Sequence, residues 1–271
     1  MFDELRKIPV FLVRDFKIMF TYKLAFSMTF FSIIFTLFHL ALFGSMFGLT
    51  DIPALENYGH NFISYILVGS IGWGFLWTIM AATSEGLTTE MMLGTLESIL
   101  ITPTKAYTLM ISYALFGCFA GLITILILVI VGFFVFGISV LAGATIYTLI
   151  IFILSATMMM GFGLIFGGLT IWLKNIGDTV PFLQNLSMFF CGVYFPISVL
   201  PAFLQPISKF IPFYYSIEGM RASLNSSTPN SEILYYILTL LILSIIFILL
   251  GIFVIHRGLV KAKKDGSLAF Y

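Results

Sequence analysis

The sequence predicts an all-α integral membrane protein with six transmembrane helices, and three observations carry that expectation. Hydrophobic residues make up 60% of the 271 and charged residues only 9%, whereas soluble domains carry about a quarter charged residues. Apolar runs long enough to cross roughly 30 Å of hydrocarbon, about 20 residues as helix, recur along the chain. The few basic residues fall on one side of the connections those runs define.

Residues 1–23 mix Asp3, Glu4, Arg6, Lys7, Arg14, Asp15 and Lys17 with Val10, Phe11, Leu12, Phe16, Ile18 and Phe20. That mixture predicts an interfacial N-terminal helix with Pro9 near its start. So much charge also argues against a cleavable signal peptide there. The first span is expected over Leu24–Leu49 and the second over Phe62–Ala82. An inner loop occupies 84–103.

Spans three and four, Tyr107–Phe136 and Ala144–Leu173, rest on a length argument. No charge occurs between Lys105 and Lys174, and one helix over that stretch would reach on the order of 100 Å. The chain must therefore fold back, and Gly137–Gly143 is the best break. A further break at Gly161, Gly163, Gly167 and Gly168 would give three short passes. Two passes are preferred, because they return Lys105 and Lys174 to the same side. The fifth span is expected over Thr179–Phe195 and the sixth over Ile233–Ile255.

With both termini inside, eleven of the thirteen Lys and Arg residues are cytoplasmic, leaving only Lys209 and Arg221 outside. An odd number of spans would place the basic C-terminal tail outside, so six is favoured. The chain reads as a single membrane domain over 1–271.

Two connections carry most of the information. On a helical wheel over Ser84–Leu100, Glu90, Gly94, Glu97 and Ser98 fall on one side, and Met92, Leu93, Leu96, Ile99 and Leu100 on the other. This predicts a short amphipathic surface helix with its apolar side on the spans. Segment 196–231 is too apolar for a free loop, and Pro196, Pro201, Pro206 and Pro212 interrupt it too often for a span. Short re-entrant helices satisfy both constraints if protein covers their broken backbone. Phe213, Tyr214 and Tyr215 suit an interfacial belt. Glu218 and Arg221, three apart, would pair on a helix, and an exposed pair of this kind is worth only about 0.2–0.5 kcal/mol.

Polar groups inside the spans are scarce. His39 and Gln184 are candidates to line a path, although interhelical hydrogen bonding is the commoner role. Few buried carboxylates argue against a proton- or sodium-driven carrier, and no His/Asp/Glu cluster has metal-ligand spacing. Cys118 and Cys191 sit in apolar stretches and read as packing residues. Gly44 with Gly48, Gly117 with Gly121, and Gly163 with Gly167 have small-xxx-small spacing, too common among 23 glycines to assign a dimer face.

Two strings resemble a known family. Glu90-Met91-Met92-Leu93-Gly94-Thr95-Leu96-Glu97, followed by Thr102-Pro103, is similar to the inner-loop signature of ABC-2 type exporter permeases. Gly192-Val193-Tyr194-Phe195-Pro196-Ile197-Ser198-Val199-Leu200-Pro201 resembles that family's stretch at the end of span five, and Tyr215–Arg221 its later Tyr…Arg segment. The resemblance implies that the inner helix is a coupling helix seated on an ATP-hydrolysing subunit, with Glu90, Gly94, Thr95 and Glu97 at the contact. Phe195, Pro196, Pro201, Tyr215 and Arg221 would then belong to the outer gate. Many relatives carry an Arg just before the first Glu, where this chain has Thr89.

No P-loop occurs in the chain. The resemblance therefore implies ATP and Mg in a partner ABC ATPase subunit and no cofactor or catalysis in this one. It further implies a second permease copy or paralogue, the lipid bilayer of the cell membrane as surroundings, no nucleic acid, and export of an amphiphile such as a drug or lipid-linked glycan. A secondary carrier or channel without ATPase, or a membrane scaffold, would compete with this reading.

Overall fold

The computed structural model describes residues 4, 6–46, 62–102, 104–173, 179–225 and 227–264, which are helical throughout apart from turns and short connections. In chain order the helices are α1 (Ile8–Thr21), α2 (Lys23–Met46), α3 (Phe62–Met92), α4 (Thr95–Ile101), α5 (Ala106–Phe136), α6 (Ile146–Leu173), α7 (Thr179–Phe190), α8 (Gln205–Phe210), α9 (Pro212–Leu224) and α10 (Asn230–Lys264). Short 3₁₀ turns occupy Val140–Gly143 and Ile197–Val199.

Four of these, α3, α5, α6 and α10, are long and apolar enough to cross a membrane. A fifth candidate is bent. α1 and the Phe26–His39 part of α2 meet at 80°, because Tyr22 leaves helical geometry and ends α1. α7 has only 12 residues, about 18 Å at 1.5 Å per residue, and stops short of the expected Phe195. The chain leaves helix there because Gly192 adopts a left-handed conformation, φ 73°.

The fold-back between α5 and α6 lies where the charge-free run requires it. Gly137, at φ 67°, closes α5. Its N–H donates to the Phe133 carbonyl at 3.1 Å, and the Ile138 N–H donates to the Gly132 carbonyl at 2.9 Å. This paired closure favours glycine because it needs a left-handed residue. α6 then runs unbroken through Gly161, Gly163, Gly167 and Gly168, which removes the three-pass alternative.

Those glycines set helix spacing instead. A Cβ on Gly161 would stand 2.5 Å from the Phe247 backbone, and one on Gly168 2.8 Å from the Ile255 nitrogen. In return, a Cβ on Gly251 or Gly258 would stand 2.7 Å from the Gly161 or Gly168 carbonyl oxygen. Seven-residue spacing on both helices therefore brings the α6 and α10 backbones into contact. Gly163 packs on Thr83, and Gly117 and Gly121 pack on Ile79 and Phe75. These pairs seat α6 and α5 on α3. α3 and α6 form the interior of the bundle, whereas α5 and α10 turn most of their surface outward.

Prolines start the short helices. Pro206 lies in the first turn of α8 and Pro212 in that of α9, where a missing N–H costs nothing. α9 packs against α3, α6 and α10.

Candidate functional site

The inner segment differs from one amphipathic helix. α3 continues past Ala82 to Met92, because a helix needs no apolar residues to satisfy its own backbone. It ends at a Leu93–Gly94 turn with Gly94 at φ 68°, and α4 begins at Thr95. Three wheel assignments change accordingly. Glu90 is buried, 7% exposed, while Met92 and Leu93 stand outside at 66% and 70%. Leu96 does point inward, and Glu97 and Ser98 are exposed as expected.

Glu90 is held by three elements. The Arg14 guanidinium of α1 pairs with its carboxylate at 2.7 Å. The Tyr113 hydroxyl of α5 donates to the same oxygen at 2.8 Å. The Thr95 hydroxyl donates to the other oxygen, closing the turn around Gly94. Arg14 also donates to Tyr113 at 3.1 Å and pairs with Asp15 at 2.8 Å. Thr89 therefore leaves no gap in charge, since Arg14 arrives from α1 to neutralise Glu90. Nothing in the sequence pairs residues so far apart, and Arg14 and Tyr113 were not legible as site residues.

Burial pushes the Asp15 carboxyl up, against the pull of Arg14 and with a push from Glu90. Nearby, Glu4 accepts the Thr108 hydroxyl at 2.5 Å and pairs with Lys7 at 2.9 Å. The Thr108 hydrogen bond first, then Lys7, holds Glu4 down at about 2. The chain is thus fastened to α5 just before α1 through Glu4, and to the corner from the middle of α1 through Arg14. An open groove of about 640 Å³ lies between α1 and α4, reached by Lys7, Arg14, Glu90, Thr95 and Ser98.

The far end of α3 carries a second buried network. Arg221 donates to Glu218 at 2.8 Å, to the Tyr65 hydroxyl at 2.8 Å and to the Val193 carbonyl at 3.1 Å. Its guanidinium lies 3.6 Å from the Tyr65 ring centre, and the Tyr65 hydroxyl donates to the Gly192 carbonyl at 2.8 Å. Gly69 makes room, because a Cβ there would fall 2.3 Å from the Val193 oxygen. Glu218 and Arg221 are therefore not an exposed pair. Their side chains are 8% and 4% exposed, since α9 packs against α3, α6 and α10 rather than lying open.

The remaining predicted residues separate. Phe195 is half-buried with its ring edge-on to Phe189, and Pro196 is buried. Pro201 is exposed and caps a turn through its carbonyl. Tyr215 donates to the Lys209 carbonyl at 2.9 Å, away from Arg221. Gln184 lines a cavity of about 420 Å³ with Trp73, Trp77, Tyr194, Ser70 and Thr36. His39 is exposed on α2 and is not on that wall. Among the described residues no group of three His, Cys, Asp or Glu is placed to hold a metal.

Residues 8–225 match the family model described as ABC-2 type transporter, which takes in every helix from α1 to α9. No curated protein matches the chain.

Proposed function

This chain belongs to the ABC-2 type transporter family, and we propose that it is the membrane subunit of an ATP-driven exporter whose coupling element is the α3–α4 corner. One observation carries the proposal. α3 is an unbroken 31-residue helix, about 46 Å long at 1.5 Å per residue, with a buried ionic network at each end. Glu90 sits at one end and Tyr65 at the other. A push on the exposed Met92–Leu93 knob would move α3 as a rod, shifting Tyr65 and Gly69 against Arg221 and Val193. Motion of such a packed element between two discrete arrangements is how a local contact becomes a change at a distance.

In this reading a partner ABC ATPase subunit binds ATP and Mg and closes on the corner, with Glu97 and Gly94 at the contact. The bundle has six crossings. α2 supplies the first, and α7 with the buried Cys191–Val193 turn supplies a short fifth. Both termini are cytoplasmic in the cell membrane, and the prolines of 196–212 start re-entrant helices over the exit. Two copies of the chain, or this chain and a paralogue, enclose the path.

The cavity at Gln184 favours an amphiphilic cargo with an uncharged polar part. Its lining combines two tryptophans with hydroxyl and amide groups and contains no charged residue. A drug or a lipid-linked glycan fits that chemistry.

The test is cargo-stimulated ATPase activity and transport by the reconstituted complex carrying Glu97→Ala or Gly94→Trp. Both variants should assemble and lose stimulation. Wild-type ATPase and transport in both would remove the coupling assignment, and transport with no ATPase present would favour a carrier.

A further inference from the structure

α5 and α6 both pack on α3 and scarcely touch each other. A cleft of about 590 Å³ remains between α5 and the α6–α10 pair, at the same end of the bundle as α4. This volume lies in the range of small-molecule sites, about 300–1,000 Å³. Its walls are Met110, Ile111, Met160, Leu164, Ile248 and Ile252. Its polar side chains, Thr104, Lys105, Tyr107 and His256, come from around the start of α5 and the later part of α10, and so gather at one end. None of the lining residues is acidic. The Glu4 carboxylate accepts the Lys105 backbone N–H at 3.3 Å, but its charge is also engaged by Thr108 and Lys7, and Glu4 does not line the cleft.

From this arrangement we propose that the cleft is a binding site for one acyl chain of an anionic phospholipid, with the phosphate at Lys105 and His256. The apolar wall and the cationic mouth have the polarity of such a lipid. Ile248 to His256 spans about 12 Å of helix at 1.5 Å per residue, enough to lay half an acyl chain along α10. Lys105 supplies a charge, and the His256 imidazole an N–H, to the phosphate oxygens. The level of the mouth is marked independently. Beside His256, Arg257 lies 5.2 Å from the Phe253 ring, and on the next turn Lys261 lies 5.4 Å from that of Trp172. Paired cations and aromatic rings of this kind anchor helices at the headgroup layer. Basic pockets between membrane helices are an established mode of anionic headgroup recognition.

The test uses the purified full-length chain, delipidated and then offered equal amounts of phosphatidylglycerol and phosphatidylcholine with matched acyl chains. Retained lipid is counted by native mass spectrometry. The wild type should retain phosphatidylglycerol in preference, about fivefold for one cation near a headgroup. Lys105→Gln, an exposed position, should remove that preference, and so should Lys105→Gln/His256→Gln. Ile252→Trp should fill the cleft and lower retention of both lipids. Glycerol phosphate, which lacks an acyl chain, should not displace the lipid. Equal retention of the two lipids by the wild type, an unchanged preference in Lys105→Gln, or displacement by glycerol phosphate would each overturn the assignment. None of these readouts depends on ATPase coupling.

Discussion

Arg221→Met isolates the buried network at the α9 end of α3. The substitution keeps much of the side-chain volume but removes the partner of Glu218 at 2.8 Å and the donors to Tyr65 and Val193. Both charged side chains are under a tenth exposed, so water does not replace the lost contacts. Removing one partner of a buried pair costs about 3–5 kcal/mol, chiefly by stranding the other charge. In the double variant Arg221→Met/Glu218→Met no charge is stranded, and such replacements are often neutral or better. The assay is thermal unfolding of the purified chain in detergent, followed by intrinsic fluorescence at one scan rate. At about 2–4 °C per kcal/mol for a chain of this size, the single variant should melt on the order of 10 °C lower. The double variant should recover most of that loss. A double variant as unstable as the single one would refute the argument, because the damage would then come from lost packing rather than a stranded charge.

Four further outcomes follow from the same geometry. Gly168→Ala should destabilise by about 1–3 kcal/mol, because its Cβ meets the Ile255 backbone at 2.8 Å. Adjacent Gly167→Ala should be neutral or stabilising, since its nearest neighbour would be 3.7 Å away and alanine favours helix; thermal unfolding of both decides it. Gly94→Ala should cost about 1–2 kcal/mol from the left-handed backbone alone, because nothing lies within 4 Å of its Cβ, and Gly94→Asn should cost less in the same assay. Arg14→Ala should destabilise by about 1–2 kcal/mol, a value kept low because Tyr113 and Thr95 still satisfy Glu90 and Arg14 is partly solvated. Asp15→Asn should be neutral or mildly stabilising at pH 7. A raised carboxyl pKa in the folded state makes the ionised form a cost that is relieved as pH falls through that value. Asp15→Asn should therefore flatten the rise in stability on acidification below neutrality, read as melting temperature against pH.

The four long apolar helices were legible in the sequence because hydropathy and length are local properties. So was the turn at Gly137–Gly143, where an uncharged run had to reverse. The end of α3 was not legible from hydropathy. Ser84, Thr88, Thr89 and Glu90 are polar, yet they extend the helix because its backbone bonds are internal. The wheel over Ser84–Leu100 failed because it assumed one continuous helix, and Gly94 resets the phase. The spacing of Glu218 and Arg221 was visible, but their burial depends on α9 packing against α3, α6 and α10 so that Arg221 reaches Tyr65, a long-range event. The close-packed seam was visible only as scattered glycines. Gly161 and Gly168 mattered, seven apart and matched by Gly251 and Gly258, whereas the small-xxx-small pair Gly163 and Gly167 did not make it. Arg14 carried no local signal, because its partner Glu90 comes from another helix.

Contact between the α3–α4 corner and an ATPase subunit is tested most directly by crosslinking. In a Cys118→Ala/Cys191→Ala background, a cysteine is placed at Leu93 or at Phe203, which are 70% and 76% exposed. The purified complex is then treated with a short bifunctional maleimide. Leu93→Cys should crosslink to the copurified ATPase, with the yield changing when ATP is added, and Phe203→Cys should not. Crosslinking at Phe203, or none at Leu93 from an assembled complex, would contradict the account.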